Sequence, residues 1–302
     1  MIPTYSEGRG RIWRMARLPA ESSLQAWGAA TARWRQPPDF LVIGGRRCGS
    51  TSLYYGLLQH PGVMPLVLSA GWLPLKEHRK GTRWLDQPRR GGPWYRAHFP
   101  TDLTRRRYER RAGVALTGEA TPWYLAAPGA AQRAAVEAPA AKLILVVRDP
   151  VARAFSQFVE QRKRGHEPEP DFALALQKET ERRLNGLLGD DGVHRSPAFA
   201  NEHLSYRRQS EYASCLEPWL ARYPLERLLV VQAEDLYNDG PAVLGEVAGF
   251  LGLGPHEFAA EDRNKTRSDL VDSTVATELR DYYRPHNQRL ETLVGRRFNW
   301  SS

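Results

Sequence analysis

Short apolar runs recur along this chain and alternate with helical patterns. Residues 40–43 (FLVI) and 228–231 (LLVV) are wholly apolar, and 142–147 (KLILVV) has one lysine at its start. Such runs are typical of strands that are covered on both faces. Shorter runs at 64–68 and 114–116 predict two further strands. The pattern therefore predicts a buried, parallel sheet.

Helical spacing of apolar residues follows several of these runs. A helix is predicted directly after the run at 40–43, and others from residue 151 onward, over 243–251 and over 275–294. Strands that alternate with helices along one chain form parallel sheets with helices on the faces. The sequence therefore predicts a single-domain α/β fold with a parallel central sheet flanked by helices.

The composition divides the chain into an arm and a domain. Residues 1–37 form a basic N-terminal arm in which arginines stand among tryptophans. This arm is interpreted as a segment that packs on the domain, with a membrane-surface segment as the alternative. Residues 38–302 form the domain itself. Within it, residues 165–205 are rich in Pro, Gly, Asp and His without a sustained period, and we interpret them as a lid or substrate loop.

The charge and the cysteine count limit the classes of function. The 302 residues carry a formal net charge of +9, which favours anionic partners such as nucleotides, acidic glycans, nucleic acid or membrane. The two cysteines offer neither a disulfide framework nor a zinc set. No apolar run approaches the roughly 20 residues that span a bilayer. We therefore expect a soluble protein in a reducing, cytoplasmic setting.

A glycine-rich loop follows the first predicted strand. Residues 44–53 read GGRRCGSTSL and lead into a predicted helix. In the phosphate-loop pattern G-x-x-x-x-G-K-[ST], Gly44 and Gly49 take the glycine positions, but the lysine is missing. The cations stand earlier, at Arg46 and Arg47. A strand, a glycine loop and a helix N-terminus together direct backbone N–H groups at an anion, so we interpret the loop as a phosphate site, with a structural turn as the alternative.

A second cationic site follows the predicted strand at 142–147. Arg148 stands where the strand stops, and Ser156 comes two helical turns later. A guanidinium fork with a hydroxyl suits a phosphate monoester. Ligands collect at the carboxyl ends of strands in open parallel sheets. The sheet is therefore predicted to hold a ligand with two separate anionic ends.

These residues resemble a known family, the sulfotransferases that use 3′-phosphoadenosine 5′-phosphosulfate (PAPS). The bacterial and heparan-sulfate-type members are the most similar. Their 5′-phosphosulfate loop, G-x-x-K-x-G-T-[TS]-x-L, is matched by residues 44–53, and their 3′-phosphate motif, R-D-P-x-x-R-x-x-S, by residues 148–156. Further matches cover 118–122, 250–253, 283–287 and 298–300. The resemblance implies a P-loop-like nucleotide-binding fold.

The resemblance also implies roles for individual residues. Arg47 stands at the family's lysine position beside the transferred sulfate, and Glu77 matches the general base, with His78 as the competing candidate. Two alternatives are left open for Arg207, Tyr212 and residues 264–267: they complete the nucleotide pocket, or they lie on the surface. The residues expected to bind the cofactor are Arg46, Arg47, Cys48, Gly49, Ser50, Thr51, Ser52, Arg148, Ser156, Arg207, Tyr212, Lys265, Thr266 and Arg267.

This chain departs from the family pattern at three places. Arg47 replaces the lysine and keeps the charge, but it cannot donate its proton as a lysine can. The family's K-E-x-H-F-F stretch is reduced to Lys76, Glu77 and His78. Ala120 stands where the E-K-S-P-x-Y stretch has its lysine. These changes leave open which residues of this chain transfer protons.

The function that the resemblance implies is sulfuryl transfer from PAPS. The expected acceptor is a hydroxyl, with an amine less favoured, on a small-molecule, glycosylated metabolite or saccharide. PAPS is the expected co-substrate, and no metal is expected. The alternatives are a P-loop nucleotide kinase and a non-enzymatic nucleic-acid-binding protein. The sequence leaves the acceptor and the oligomeric state undetermined.

Overall fold

A parallel sheet forms the centre of the molecule. The computed structural model describes residues 26–67, 80–88, 90–184, 197–260 and 271–300. In these ranges, five strands lie in the order β2-β3-β1-β4-β5, and all neighbouring pairs are parallel. The strands are β1 Phe40–Gly44, β2 Val63–Met64, β3 Leu116–Ala120, β4 Lys142–Val147 and β5 Leu228–Gln232. The predicted α/β fold with a parallel central sheet is confirmed.

Helices cover both faces of this sheet. They are α1 Ser50–Leu57, α2 Gly92–Arg96, α3 Asp102–Ala112, α4 Ala130–Glu137, α5 Pro150–Lys163, α6 Phe172–Leu184, α7 Pro197–His203, α8 Tyr212–Leu220, α9 Ala233–Asn238, α10 Gly240–Leu251 and α11 Ser273–Val294. The two predicted C-terminal helices each begin a few residues early, because Asp239 and Asp272 accept hydrogen bonds from backbone N–H groups of the first turn.

Two of the predicted strands differ from the observed ones. In the described part of the run at 64–68, which ends at Val67, the strand is limited to Val63–Met64, since Pro65 has no N–H to donate and the Val67 N–H donates to the carbonyl of His98 at 2.8 Å. The strand predicted at 114–116 is wrong in position, because β3 covers Leu116–Ala120, where it pairs with β1. Because β3 contains polar residues, a search for apolar runs does not identify its full length.

The region around 165–205 contains helices as well as loop. Phe172 of α6 packs against Phe155 and Phe158 of α5, with ring centroids 5.4 Å apart in both cases. Tyr206 and Tyr283 complete this second hydrophobic cluster, which lies apart from the core around the sheet. The assignment of this region as a lid or substrate loop stays a prediction. No helix in the described ranges is long and apolar enough to cross a membrane.

The spacing of β1 and β3 depends on Gly118. A Cβ at this position would lie 2.5 Å from the Phe40 carbonyl oxygen and equally close to its ring. We expect Gly118→Ala to lower the free energy of unfolding by about 1–3 kcal/mol, because the two central strands must move apart. Urea unfolding measures this change.

The matched control is Gly245→Ala in the middle of α10, where a Cβ would meet nothing within 4 Å. We expect this variant to be as stable as the parent or more stable by up to about 1 kcal/mol. Equal urea midpoints for Gly118→Ala and the parent would contradict the role of Gly118.

Candidate active site

The glycine loop turns sharply between β1 and α1. The Gly45 N–H donates to the Val146 carbonyl of β4 at 2.5 Å, which ties the start of the loop to the neighbouring strand. Arg47 and Gly49 both have positive φ, +71° and +89°, and α1 then begins at Ser50. This turn brings the helix N-terminus to the carboxyl end of the sheet, as the sequence predicts for a phosphate site.

Two of the predicted cofactor residues have side chains that pack beneath the glycine loop. Cys48 is fully buried, and its Sγ lies 3.5 Å from the Tyr212 hydroxyl. Tyr212 in turn donates to the Arg148 carbonyl at 2.9 Å and accepts from the Arg148 N–H at 3.2 Å. Burial raises the pKa of the Cys48 thiol to about 11. Both side chains therefore support the loop from below.

A cleft of about 690 Å³ opens above the loop. It brings the loop, the start of α1 and the head of α5 together at the carboxyl ends of β1 and β4. The described residues that line it are Arg46, Arg47, Gly49, Ser50, Thr51, Ser52, Lys80, Pro122, Arg148, Ser156, Glu160, Gln161, Arg164 and Tyr237. The cleft therefore contains both predicted anion sites.

Arg47 spans the two predicted anion sites. Its Nε donates to Ser156 Oγ at 3.3 Å, and its Nη2 lies 3.8 Å from a carboxylate oxygen of Glu160. Burial by itself raises the pKa of Glu160, but the hydrogen bond from Arg164 and the charge of Arg47 outweigh it, so the pKa of Glu160 is lowered. The Arg47 guanidinium therefore reaches across the cleft from the loop to α5.

Arg148 lies at the carboxyl end of β4, as predicted. Its Nη1 donates to the Arg47 carbonyl at 3.4 Å, and its guanidinium lies 6.0 Å from the ring centroid of Tyr237. The Tyr237 hydroxyl also approaches the loop, 3.1 Å from where a Gly49 Cβ would stand. Arg148 and Ser156 thus face the same cleft from β4 and α5.

Arg46 is engaged by an acidic residue that is distant in sequence. Its Nη1 donates to the Glu202 carbonyl at 2.7 Å, and its Nη2 lies 3.2 Å from the Glu202 carboxylate. The same carboxylate accepts from Arg83 at 2.7 and 2.8 Å. Burial lowers the pKa of Arg46 to about 10. Arg46 lines the cleft, but its guanidinium is bound to Glu202.

Other predicted site residues lie elsewhere or outside the described ranges. Arg207 does not line the cleft; its guanidinium donates to the Leu176 carbonyl and to Thr180 on α6, at 2.8 and 2.9 Å. The residues outside the described ranges are Glu77, His78, Lys265, Thr266 and Arg267. Within the described ranges, no group of three or more His, Cys, Asp or Glu could hold a metal ion.

Comparisons with known proteins agree with this geometry. A family model described as "Sulfotransferase domain" matches residues 37–272, more than three quarters of the chain. The chain belongs to the sulfotransferase family. The predicted recognition of the family is therefore confirmed.

Individual sulfotransferases resemble most of the chain. The membrane-associated sulfotransferase kil1 of Dictyostelium discoideum is 25% identical over 88% of this chain and 67% of its own length. The heparan sulfate glucosamine 3-O-sulfotransferase 3B1 of Mus musculus is 27% identical over 88% of this chain and 65% of its own. This chain therefore spans about two thirds of these relatives.

A solved structure shares the sulfotransferase fold. The crystal structure of a sulfotransferase from Alicyclobacillus acidocaldarius superposes with a TM-score of 0.63 at 24% identity, covering 88% of this chain and 99% of that one. The P-loop-like fold expected from the resemblance is thereby confirmed.

A lysine that sequence reasoning missed also lies in this sulfotransferase cleft. Lys80 Nζ donates to Thr51 Oγ1 at 2.5 Å. A second register of the family's K-E-x-H-F-F pattern would have identified it, with Lys80 at the lysine position. Trp84 and Leu85 then take the two phenylalanine positions, and both are buried. In this register Gly81 stands at the glutamate position.

Glu119 of the matched 118–122 stretch is a buried structural carboxylate. It accepts from the Thr82 N–H at 2.7 Å, from the Tyr95 hydroxyl at 2.9 Å and from the Tyr124 hydroxyl at 3.1 Å. Burial raises the pKa of Glu119. Glu119 does not line the cleft; instead it holds the segment that carries Lys80 against the end of β3.

Arg153, the second arginine of the 3′-phosphate motif, is also structural. It is fully buried in α5 and donates to Gln157 Oε1 at 2.7 Å, to Ser210 Oγ and to the Tyr206 carbonyl. These bonds tie α5 to the segment that precedes α8. The motif therefore combines residues that face the cleft with one that anchors the helix carrying them.

We expect Arg153→Ala to destabilise the fold by about 3 kcal/mol or more, because it leaves three buried acceptors without their charged donor. The midpoint of urea unfolding measures this loss. Lys163→Ala, at an exposed position of the same helix, is the control and should change the free energy of unfolding by less than about 0.5 kcal/mol. Similar midpoints for the two variants would show that Arg153 is not an anchor.

Proposed function

We propose that this chain transfers a sulfuryl group from PAPS to a hydroxyl of a small-molecule, glycosylated metabolite or saccharide acceptor, with an amine as the less favoured acceptor. The observation that carries the proposal is the pair of anion sites in one cleft. The loop N–H groups, with Arg47, would take the 5′-phosphosulfate. Arg148 and Ser156, at the carboxyl end of the neighbouring strand, would take the 3′-phosphate.

The chemistry would be an in-line displacement at sulfur. The acceptor oxygen forms a bond to sulfur as the bond between sulfur and the bridging oxygen breaks, and that electron pair leaves with the phosphate as 3′,5′-adenosine bisphosphate. The acceptor proton passes to a general base. The loop N–H groups and the cleft cations stabilise charge on the sulfuryl and phosphate oxygens, since fixed donors in a site of low dielectric cost little reorganisation.

The acceptor class is a proposal that the name of one relative supports. The mouse relative above is named for heparan sulfate glucosamine. A saccharide hydroxyl is therefore the acceptor we would test first. The cytoplasmic setting expected from the sequence stays a prediction.

Calorimetric titration with 3′,5′-adenosine bisphosphate in EDTA tests the nucleotide site. We expect micromolar affinity for the parent chain and weak binding of ATP. Arg148→Ala should weaken the bisphosphate by about 10- to 100-fold, because a charge-assisted bond to phosphate is lost. Unchanged affinity would refute the 3′-phosphate assignment.

Arg106→Ala is the control for this titration. Arg106 is exposed on α3, whose neighbour Arg105 pairs with Asp39 at the amino end of β1, so it lies at the opposite edge of the sheet. Its loss removes the same charge far from the cleft and should leave the affinity within about twofold. ATP binding that requires Mg²⁺, with the bisphosphate ignored, would favour a nucleotide kinase instead.

Glu77 is the proposed base, with His78 as its competitor. Glu77→Gln should leave bisphosphate affinity intact and lower the rate of sulfuryl transfer from PAPS to a saccharide acceptor by about 10²–10⁴-fold. Loss of transfer in His78→Gln alone would assign the base to His78. Normal transfer in both variants would favour the register with Gly81 at the glutamate position. Glu160, the carboxylate that lines the described part of the cleft, would then be the next candidate for the base.

A further inference from the structure

Lys80 places an ammonium group on the first turn of α1. Its Nζ lies 2.5 Å from Thr51 Oγ1, and both side chains line the same cleft as Arg47 and Arg148. This lysine comes from a segment 29 residues further along the chain, not from the loop. Its contact with the loop helix is therefore a tertiary contact, which the loop sequence does not reveal.

The hydroxyl that Lys80 contacts has a defined place in the phosphate-loop pattern. With Gly44 and Gly49 at the glycine positions, Ser50 takes the lysine position and Thr51 takes the [ST] position. In P-loop nucleotide hydrolases, the hydroxyl at that position holds Mg²⁺, and the metal neutralises the phosphate oxygens. Lys80 thus contacts the hydroxyl that corresponds in sequence to the one with which those enzymes hold their metal ion.

The backbone around Lys80 is fixed on three sides. The Lys80 carbonyl accepts from the Ala120 N–H at 2.6 Å. A Cβ at Gly81 would lie 2.6 Å from the Ala120 carbonyl oxygen and would also collide with Thr121 Oγ1, so the chain passes directly against the end of β3. The next residue, Thr82, donates its N–H to the buried Glu119 carboxylate. Lys80 therefore extends from a rigid segment.

We propose that Lys80 is a nucleotide-binding residue that takes the position and part of the role of the P-loop metal ion. The proposal rests on the proposed use of PAPS. The ammonium would donate to oxygens of the 5′-phosphate and of the sulfuryl group from beside Thr51 on the first turn of α1. A compact ammonium suits this position because it is a point charge with three donors, like a small hydrated cation.

The consequence for selectivity is direct. The ammonium and a metal ion cannot both occupy the space next to Thr51 Oγ1. The site would accept a nucleotide that arrives without Mg²⁺ and would discriminate against a magnesium–nucleotide complex. Removal of the side chain would open that space to a cation.

Titration of Lys80→Ala with PAPS and with 3′,5′-adenosine bisphosphate, each in EDTA and in excess Mg²⁺, tests the inference. In EDTA we expect both ligands to bind about 10- to 100-fold more weakly than to the parent chain. Mg²⁺ should recover part of this affinity in Lys80→Ala and should not increase affinity in the parent. Lys80→Arg, which keeps the charge, should lose less affinity than Lys80→Ala and gain nothing from Mg²⁺.

The matched control is Lys178→Ala on α6, where the lysine pairs with Glu181 at 2.9 Å and does not line the cleft. Its affinities should equal those of the parent, and urea unfolding should show that Lys80→Ala is as stable as the parent. Parent-like affinity of Lys80→Ala in EDTA would overturn the role of Lys80 and leave the sulfotransferase proposal intact. Failure of the parent chain itself to bind either nucleotide would overturn the proposed function.

Discussion

A buried carboxylate holds the segment that carries Lys80 against the central sheet. Glu119 lies in β3 with no exposed surface and accepts bonds from the Thr82 backbone and from the hydroxyls of Tyr95 and Tyr124. Burying a carboxylate costs several kcal/mol unless donors replace its water, and burial accordingly raises its pKa. The donors come from three separate segments, so this one group can be satisfied only if those segments assemble around the end of β3. The position of Lys80 depends on that assembly.

The cleft itself carries a large excess of positive charge. Arg47, Arg148, Lys80 and Arg164 line it, and the carboxylate of Glu160 pairs with two of these arginines. Cations that share a cleft repel one another unless they are separated or paired with carboxylates. Arg47 accordingly reaches over to Ser156 and Glu160, and Arg46 is held by Glu202 on α7. These contacts use part of the positive charge of Arg47 and Arg46 within the protein itself.

The sequence was sufficient for the parts of the site that local spacing controls. The strand, loop and helix around residues 44–53 and the strand end at Arg148 follow from apolar runs and glycine positions. Tyr212 beneath the loop and the pairing of Arg46 with Glu202 could not be predicted, since each joins residues more than 150 positions apart. The role of Arg153 could not be predicted for the same reason. Its motif suggests a set of ligand-binding residues, but the Arg153 side chain is buried and bonds to Ser210 and Tyr206.

The two unusual cations of this cleft are best understood together. Arg47 stands where the family has a lysine, and its long planar fork reaches Ser156 on the far side of the cleft. Lys80 supplies a compact ammonium near α1, beside the hydroxyl of Thr51. A guanidinium keeps its charge but is a poor proton donor, whereas an ammonium is small and strongly hydrated. The replacement at position 47 is therefore tolerable if the compact charge near the leaving phosphate comes from Lys80, because the two cations then divide what the loop lysine and a metal ion do in nucleoside triphosphate enzymes.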